Sequence, residues 1–120
     1  MSNRPRLLFT PFKIGNITVK NRIVFSAHLT NYAEDFMPSE RHLYYYRERA
    51  RGGAGLIITE EQSTHPTDHP YEKLIHAFHR RVIPHYQRIT GAVHAEGVPI
   101  LAQINHNGGQ GSGMFTRLPA

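Results

Sequence analysis

Two carboxylates, Glu60 and Glu61, close an apolar run, LIITEE. A carboxylate there can bind a cation, act as a base or make a structural salt bridge. In a strand, adjacent side chains point to opposite faces, so only one of the two can serve a given site. The other packs outside or pairs with a base. Gln103 lies in a second apolar run, VPILAQI. An amide buried there needs hydrogen-bond partners, which a satisfied core or a ligand with both donor and acceptor would supply. His106 follows, and a backbone bond or a ligand would suit its ring equally. His65 and His69 are four apart, with Asp68 between them, and His76 and His79 are three apart. Either pair would suit a metal on a helix. Both fall in a Pro-, Thr-, His- and Asp-rich stretch without an HExxH pattern, so solvated loop histidines are expected. GGQGSG, residues 108–113, has the glycines of a phosphate loop but not its Gly-Lys-Ser/Thr ending. A flexible loop after a strand is the expectation, although its backbone can approach a ligand closely.

The elements that carry these groups alternate. KIGNITVKN, residues 13–21, has apolar Ile14, Ile17 and Val19 around Gly15-Asn16 and predicts a β-hairpin. Residues 21–27, NRIVFSA, predict a buried strand. After a loop, Ser39 can cap a helix over 40–51, with Leu43, Tyr46 and Ala50 as its apolar stripe and Gly52-Gly53 at its end. Tyr44, Tyr45 and Tyr46 are packing and surface residues of that helix. A second strand runs from Gly55 to about Glu60. Both strands are apolar enough for burial on both faces, as in a parallel sheet. Residues 62–79 predict a long loop. A second helix starts near Arg80, with Val82, Tyr86, Ile89 and Val93 as its stripe, Pro84 in its first turn and Gly97 at its end. A third strand covers 98–104. Residues 1–7 form a loose leader, and the glycine-rich tail a mobile loop without a partner. This rhythm is that of a parallel α/β fold, which places its chemistry at the carboxyl ends of its strands.

Composition narrows the function. The chain has 120 residues, nine histidines, a formal charge of +5 and no cysteine. Disulfides, thiolate metal sites and cysteine-bound iron–sulfur clusters are excluded within it. The basic residues are scattered or mixed with acids, as in RERAR at 47–51, so no nucleic-acid partner is expected. No apolar run approaches the roughly 18 residues of a membrane span, and the amino terminus lacks the apolar core of a signal peptide. A cytoplasmic location without a membrane partner is the expectation.

Three motifs then converge. LFTPFKIGNITVKNRIVFSA, RARGGAGLIITEE and ILAQINHNGG occur in the order and spacing of one family. From about residue 8 to 109 the chain resembles the amino-terminal part of the old yellow enzyme / 2,4-dienoyl-CoA reductase family of FMN-dependent oxidoreductases. SAHLTNYAED and STHPTDHPYEKLIH further resemble a branch associated with mycofactocin gene clusters. The resemblance implies an α/β fold: about three β/α units of a TIM (β/α)₈ barrel, with the 13–21 hairpin closing its bottom and FMN at the carboxyl ends of the strands. It implies that NAD(P)H reduces the flavin, which passes hydride to an activated alkene or related small molecule. By position, Ser26, Ala27, His28 and Leu29 would run along the flavin ring, Glu61 would face its edge, and Gln103 would bond its pyrimidine end. His106 falls on the histidine that follows this strand.

The chain also departs from the family. Ala27-His28 stands where Pro-Met is frequent, and Leu29 where Thr or Cys tunes the flavin by hydrogen bonding. Glu61 replaces a small residue, and Gly109 stands where many members have arginine. A closed barrel needs roughly 200 residues or more. Residues 1–120 are therefore expected to be one partial FMN-binding barrel domain, as a fragment or truncated product. The family's proton donors, phosphate site and any cluster cysteines would lie past Ala120. The rival reading is a non-catalytic partial-barrel binding or assembly module. The outer strands of the isolated chain would leave open edges, and barrel-facing residues among Ile23, Phe25, Ile57 and Ile104 without partners. It is therefore expected to be aggregation-prone, or partly molten, or to need a partner, an oligomer being one such arrangement.

Overall fold

Gly15 turns the chain through a positive φ of +55° and joins β1 (Phe12–Ile14) to β2 (Ile17–Val19). The antiparallel pair closes directly, Ile14 opposite Ile17. A two-residue turn needs glycine at its first central position when only that residue has φ > 0, which is how Gly-Asn serves here. The computed structural model describes residues 7–115. The leader, apart from Leu7, and residues 116–120 of the tail lie outside them.

Three parallel strands form the sheet that matters: β3 (Val24–Phe25), β4 (Leu56–Ser63) and β6 (Ile100–Asn105), with β4 in the centre. Helix α1 (Glu40–Arg51) connects β3 to β4, and α2 (Val82–His94) leads into β6. Both helices pack on one face. Tyr46 and Ala50 from α1, Ile57 from β4, Ile89 and Val93 from α2, and Val98 form the core. Burial of each large apolar side chain there contributes about 1.5–3 kcal/mol. This is the amino-terminal portion of a TIM barrel. Ile17 and Thr18 of the hairpin share a hollow with Val98 and Pro99, so the hairpin sits at the amino end of β6, the barrel bottom.

Glycine and asparagine set the junction between α1 and β4. Gly53 adopts φ +107° after the helix. The buried Asn21 amide donates to the Gly53 carbonyl at 2.7 Å, and its Oδ1 accepts the Ile23 N–H at 3.0 Å. A Cβ on Gly55 would lie 2.6 Å from the Asn21 carbonyl oxygen, so only glycine fits.

Several boundaries differ from expectation. The first strand is only two residues long, and Val24 is exposed rather than buried. It lies beside β4 alone in this part of the sheet, and only Phe25 turns inward, edge-on to Tyr45 at 5.8 Å. β4 extends to Ser63, and a short parallel strand, β5 (Ile75–His76), pairs with its last residues inside the expected loop. α2 ends at His94; Gly97, at φ +73°, closes the next turn instead of capping the helix. β6 is largely exposed, with Leu101 at 48% and Ile104 at 68% accessibility. Ile57, by contrast, is wholly buried because it faces the helices. Among the described residues no helix is long and apolar enough to cross a membrane.

Candidate functional site

The site is built on an irregularity in β4. Ile58 pairs with Leu101, but the next partners are Glu61 and Gln103. β4 thus spends one more residue than β6 over this stretch, a bulge of the kind that re-aims side chains. Glu60 turns toward the helices, where its carboxylate is wholly buried. Its Oε1 accepts bonds from Thr30 Oγ1 and from His42 Nε2, the latter at 2.8 Å. Its backbone N–H donates to the Tyr46 hydroxyl at 2.9 Å. Burial, and then the Glu60 charge, raise the Tyr46 phenol above its ordinary range, although the bond from Glu60 N–H works against this.

Glu61 takes the opposite face, here called the mouth face. Its Oε2 accepts a bond from Asn105 Nδ2 at 2.9 Å. Burial raises its carboxyl above the usual carboxylate range, helped by the charges of Asp68 and Glu60. Gln103, its register partner, is exposed and its amide makes no side-chain hydrogen bond among the described residues. The expected buried glutamine is therefore corrected: β6 turns this side chain to open space.

Ser26, Ala27, His28 and Leu29 leave β3 without regular pairing. Ser26 and His28 are exposed, and Ala27 and Leu29 half-buried. Phe25 is level with Ile57, and Thr30 bonds Glu60. The four residues therefore climb alongside β4 up to the level of the two carboxylates. All six expected ring contacts lie along the carboxyl ends of three neighbouring strands.

Above them, the loops carry what the sequence reading missed. Asp68 is buried, and its carboxylate accepts the Asn107 N–H at 2.6 Å, the Ser112 N–H at 3.1 Å and the Asn107 side-chain amide. Burial pushes its carboxyl up, but these bonds outweigh that and hold it below the usual range. Asp68 thus clasps the glycine-rich tail, which is not a partnerless loop over 106–113; Gly108–Gln110 forms one 3₁₀ turn there. The Asn107 and Ser112 amides are already engaged, so this segment is not a vacant phosphate cradle. His106 bonds backbone: its Nδ1 accepts the Gly108 N–H at 2.9 Å.

His69 and His76 are buried, not solvated, and their rings bond each other at 3.1 Å. Phe36 stacks on His76 at 4.3 Å with its ring nearly parallel, itself at a φ of +59°. Burial, with neighbouring His69 and His79, pushes the His76 imidazole down to about 4; burial also lowers His69. Both rings are neutral near pH 7. His65 and His79 are exposed. The signal that was available is aromatic: Phe36 and Phe78 flank an imidazole that can then be buried between rings.

The profile of the NADH:flavin oxidoreductase / NADH oxidase family matches residues 7–115. The chain is 41% identical over 104 residues to N,N-dimethylglycine/sarcosine dehydrogenase of Chromohalobacter salexigens, covering 84% of this chain and 15% of that protein. It is 37% identical over 110 residues to a probable N-methylproline demethylase of Rhizobium meliloti, covering 90% and 16%. The chain therefore spans about one sixth of the length of these curated relatives. Its structure is similar to that of the old yellow enzyme from Trypanosoma cruzi, with a TM-score of 0.81, 31% identity, and coverage of 88% of this chain and 28% of that one.

Proposed function

Because the chain belongs to the NADH:flavin oxidoreductase / NADH oxidase family, we propose that its mouth face holds the ring of FMN in a protein that moves hydride from NADH or NADPH to an electron-poor alkene or related small molecule. The observation that carries this is Gln103. Its exposed amide, without a side-chain bond among the described residues, stands in register with Glu61 at the strand ends. Such an amide offers one donor edge and one acceptor edge. That fits the pyrimidine end of an isoalloxazine, which presents both. When bound, the flavin supplies the hydride chemistry.

The part played by this chain is orientation. Residues 26–29 offer backbone groups along the ring, Gln103 fixes its polar end, and Glu61 sets the charge at its edge. Phosphate binding is not among these roles, since Asp68 already engages the Asn107 and Ser112 amides.

The test uses the gene product made from its natural coding sequence. After incubation with FMN it is expected to retain flavin, to be bleached by NADH or NADPH without oxygen, and to recover its colour on adding a cyclic enone. No retained flavin, or flavin that neither nicotinamide bleaches, overturns the reading and favours a partial-barrel assembly module.

A second reading has its own support. The two relatives above are named for oxidising or demethylating N-methylated amino acids. Glu61 is a half-buried carboxylate on the mouth face, placed to attract an ammonium group. Under this reading an N-methyl amino acid bleaches the flavin without any nicotinamide.

A further inference from the structure

Residues 26–32 lack regular pairing, yet one bond fixes their path. Thr30 Oγ1 donates to Glu60 Oε1 and accepts the Tyr32 N–H at 3.2 Å. Asn31, between them, takes a left-handed φ of +58°. Behind Glu60, the imidazole of His42 is also wholly buried. Its Nδ1 accepts the Ser39 N–H at 2.9 Å, which leaves the ring proton on Nε2 for Glu60. The helix start of α1 therefore sets the tautomer of the group that holds the carboxylate.

A wholly buried carboxylate is costly, and hydrocarbon of similar shape is often no less stable. Glu60 Oε2 has no hydrogen-bond partner among the described residues, so the carboxylate is not there to be fully satisfied. What an acid does here that hydrocarbon cannot is accept, at one oxygen, both the His42 N–H and the hydroxyl of Thr30. Thr30 is the residue directly after the four that climb along β4.

We propose that Glu60, backed by His42, is a positioning residue that holds Thr30 and thereby sets the height of residues 26–29 against the strand that carries Glu61. The inference rests on reading those four residues as flavin-ring contacts. It adds a division of labour at the bulge: Glu60 holds the ring-side segment from behind, and Glu61 meets the ligand from the front.

Thr30→Val keeps the side-chain shape but removes both the donor to Glu60 and the acceptor of the Tyr32 N–H, while Thr30→Ser keeps both. Backbone order at residues 26–29 is measured by amide nitrogen relaxation in the flavin-free gene product, FMN affinity by fluorescence titration, and global stability by urea unfolding. Thr30→Val is expected to loosen residues 26–29 and to weaken FMN binding about tenfold, the scale of one lost bond to a charged group. Thr30→Ser should match the parent protein. The urea midpoint of Thr30→Val should fall only modestly, because the buried carboxylate keeps its bond from His42. Unchanged order at 26–29 overturns the tether. Looser backbone there with unchanged FMN affinity overturns the positioning role while leaving the FMN reading intact. Order lost across the whole sheet shows fold support only and overturns it too. If the parent protein binds no FMN, the reading of 26–29 as ring contacts fails first and the positioning role falls with it.

Discussion

Glu60 and Glu61, neighbours in sequence, serve opposite faces of β4: the first is sealed against His42, the second bonds Asn105 on the mouth face. Neighbours in a strand take opposite faces, and the bulge between Ile58 and Glu61 decides which of the two meets the mouth face. Glu61 has its carboxyl raised, by burial first, so its charged form is disfavoured in the folded state. Between the unfolded and folded values the folded state binds more protons, and stability falls as pH rises through that window. Glu61→Gln should therefore raise stability near pH 7 by a few tenths of a kcal/mol, and remove this part of the pH dependence. Urea midpoints at pH 4 and pH 7 check it. If ammonium substrates use Glu61, the same change should weaken their reduction of the flavin.

Gln103→Ala should weaken FMN binding by on the order of 1–3 kcal/mol, because a ring edge covered by the site then loses its polar partner. Since the side chain is exposed and without a protein bond of its own, the fold should hardly notice. Flavin fluorescence titration beside urea unfolding separates the two effects. An unchanged dissociation constant would leave Gln103 as a surface residue of β6.

The buried pair His69 and His76 makes stability pH-dependent in the opposite sense to Glu61. The His76 imidazole titrates near 6.5 when unfolded and at about 4 when folded. Its contribution is thus fully present above about pH 6.5 and is lost as pH falls toward 4. Together with His69, lowered in the same direction, the loss between pH 7 and pH 5 should be about 1–2 kcal/mol. His76→Phe keeps the stack with Phe36 and should flatten the curve. Unfolding by urea across this range decides.

Much of this architecture is legible in the residues. The α1 stripe of Leu43, Tyr46 and Ala50, the Gly15 turn and the split roles of Glu60 and Glu61 follow from periodicity and glycine chemistry, and the structure has them. What local pattern cannot show is which residues meet across the fold. Val24 and Ile104 look like core by composition, yet exposure depends on what lies across the sheet. Asp68 is just one more polar loop residue until the tail folds onto it. Thr30 and His42 acquire their meaning only from a carboxylate that lies eighteen residues beyond the nearer of them.

Asp68→Ala should free the tail. Three donors, from Asn107 and Ser112, would lose a buried charged acceptor. A loss of roughly 1–3 kcal/mol is expected. Cleavage by a non-specific protease should concentrate in 106–113. The parent protein should show the matching pH effect: with its carboxyl lowered, Asp68 contributes fully above the ordinary aspartate range and loses that contribution as pH falls through its folded value.

A protein made of residues 1–120 alone should show negligible nicotinamide-dependent reductase activity and weak or absent FMN retention. Hydride transfer needs the ring, ribityl and phosphate groups held together with a donor placed over the ring. On the reading proposed above the mouth face offers ring contacts only, and the Asn107 and Ser112 amides of the glycine-rich segment already bond Asp68. The outer strand β6 also leaves Leu101 and Ile104 uncovered, so such a chain should lack a sharp two-state thermal transition as a monomer. The measurement is anaerobic: add FMN and reduced nicotinamide to the purified 120 residues and follow flavin bleaching. Stoichiometric flavin with turnover well above that of free FMN would show a complete site, one that these residues could assemble only by self-association.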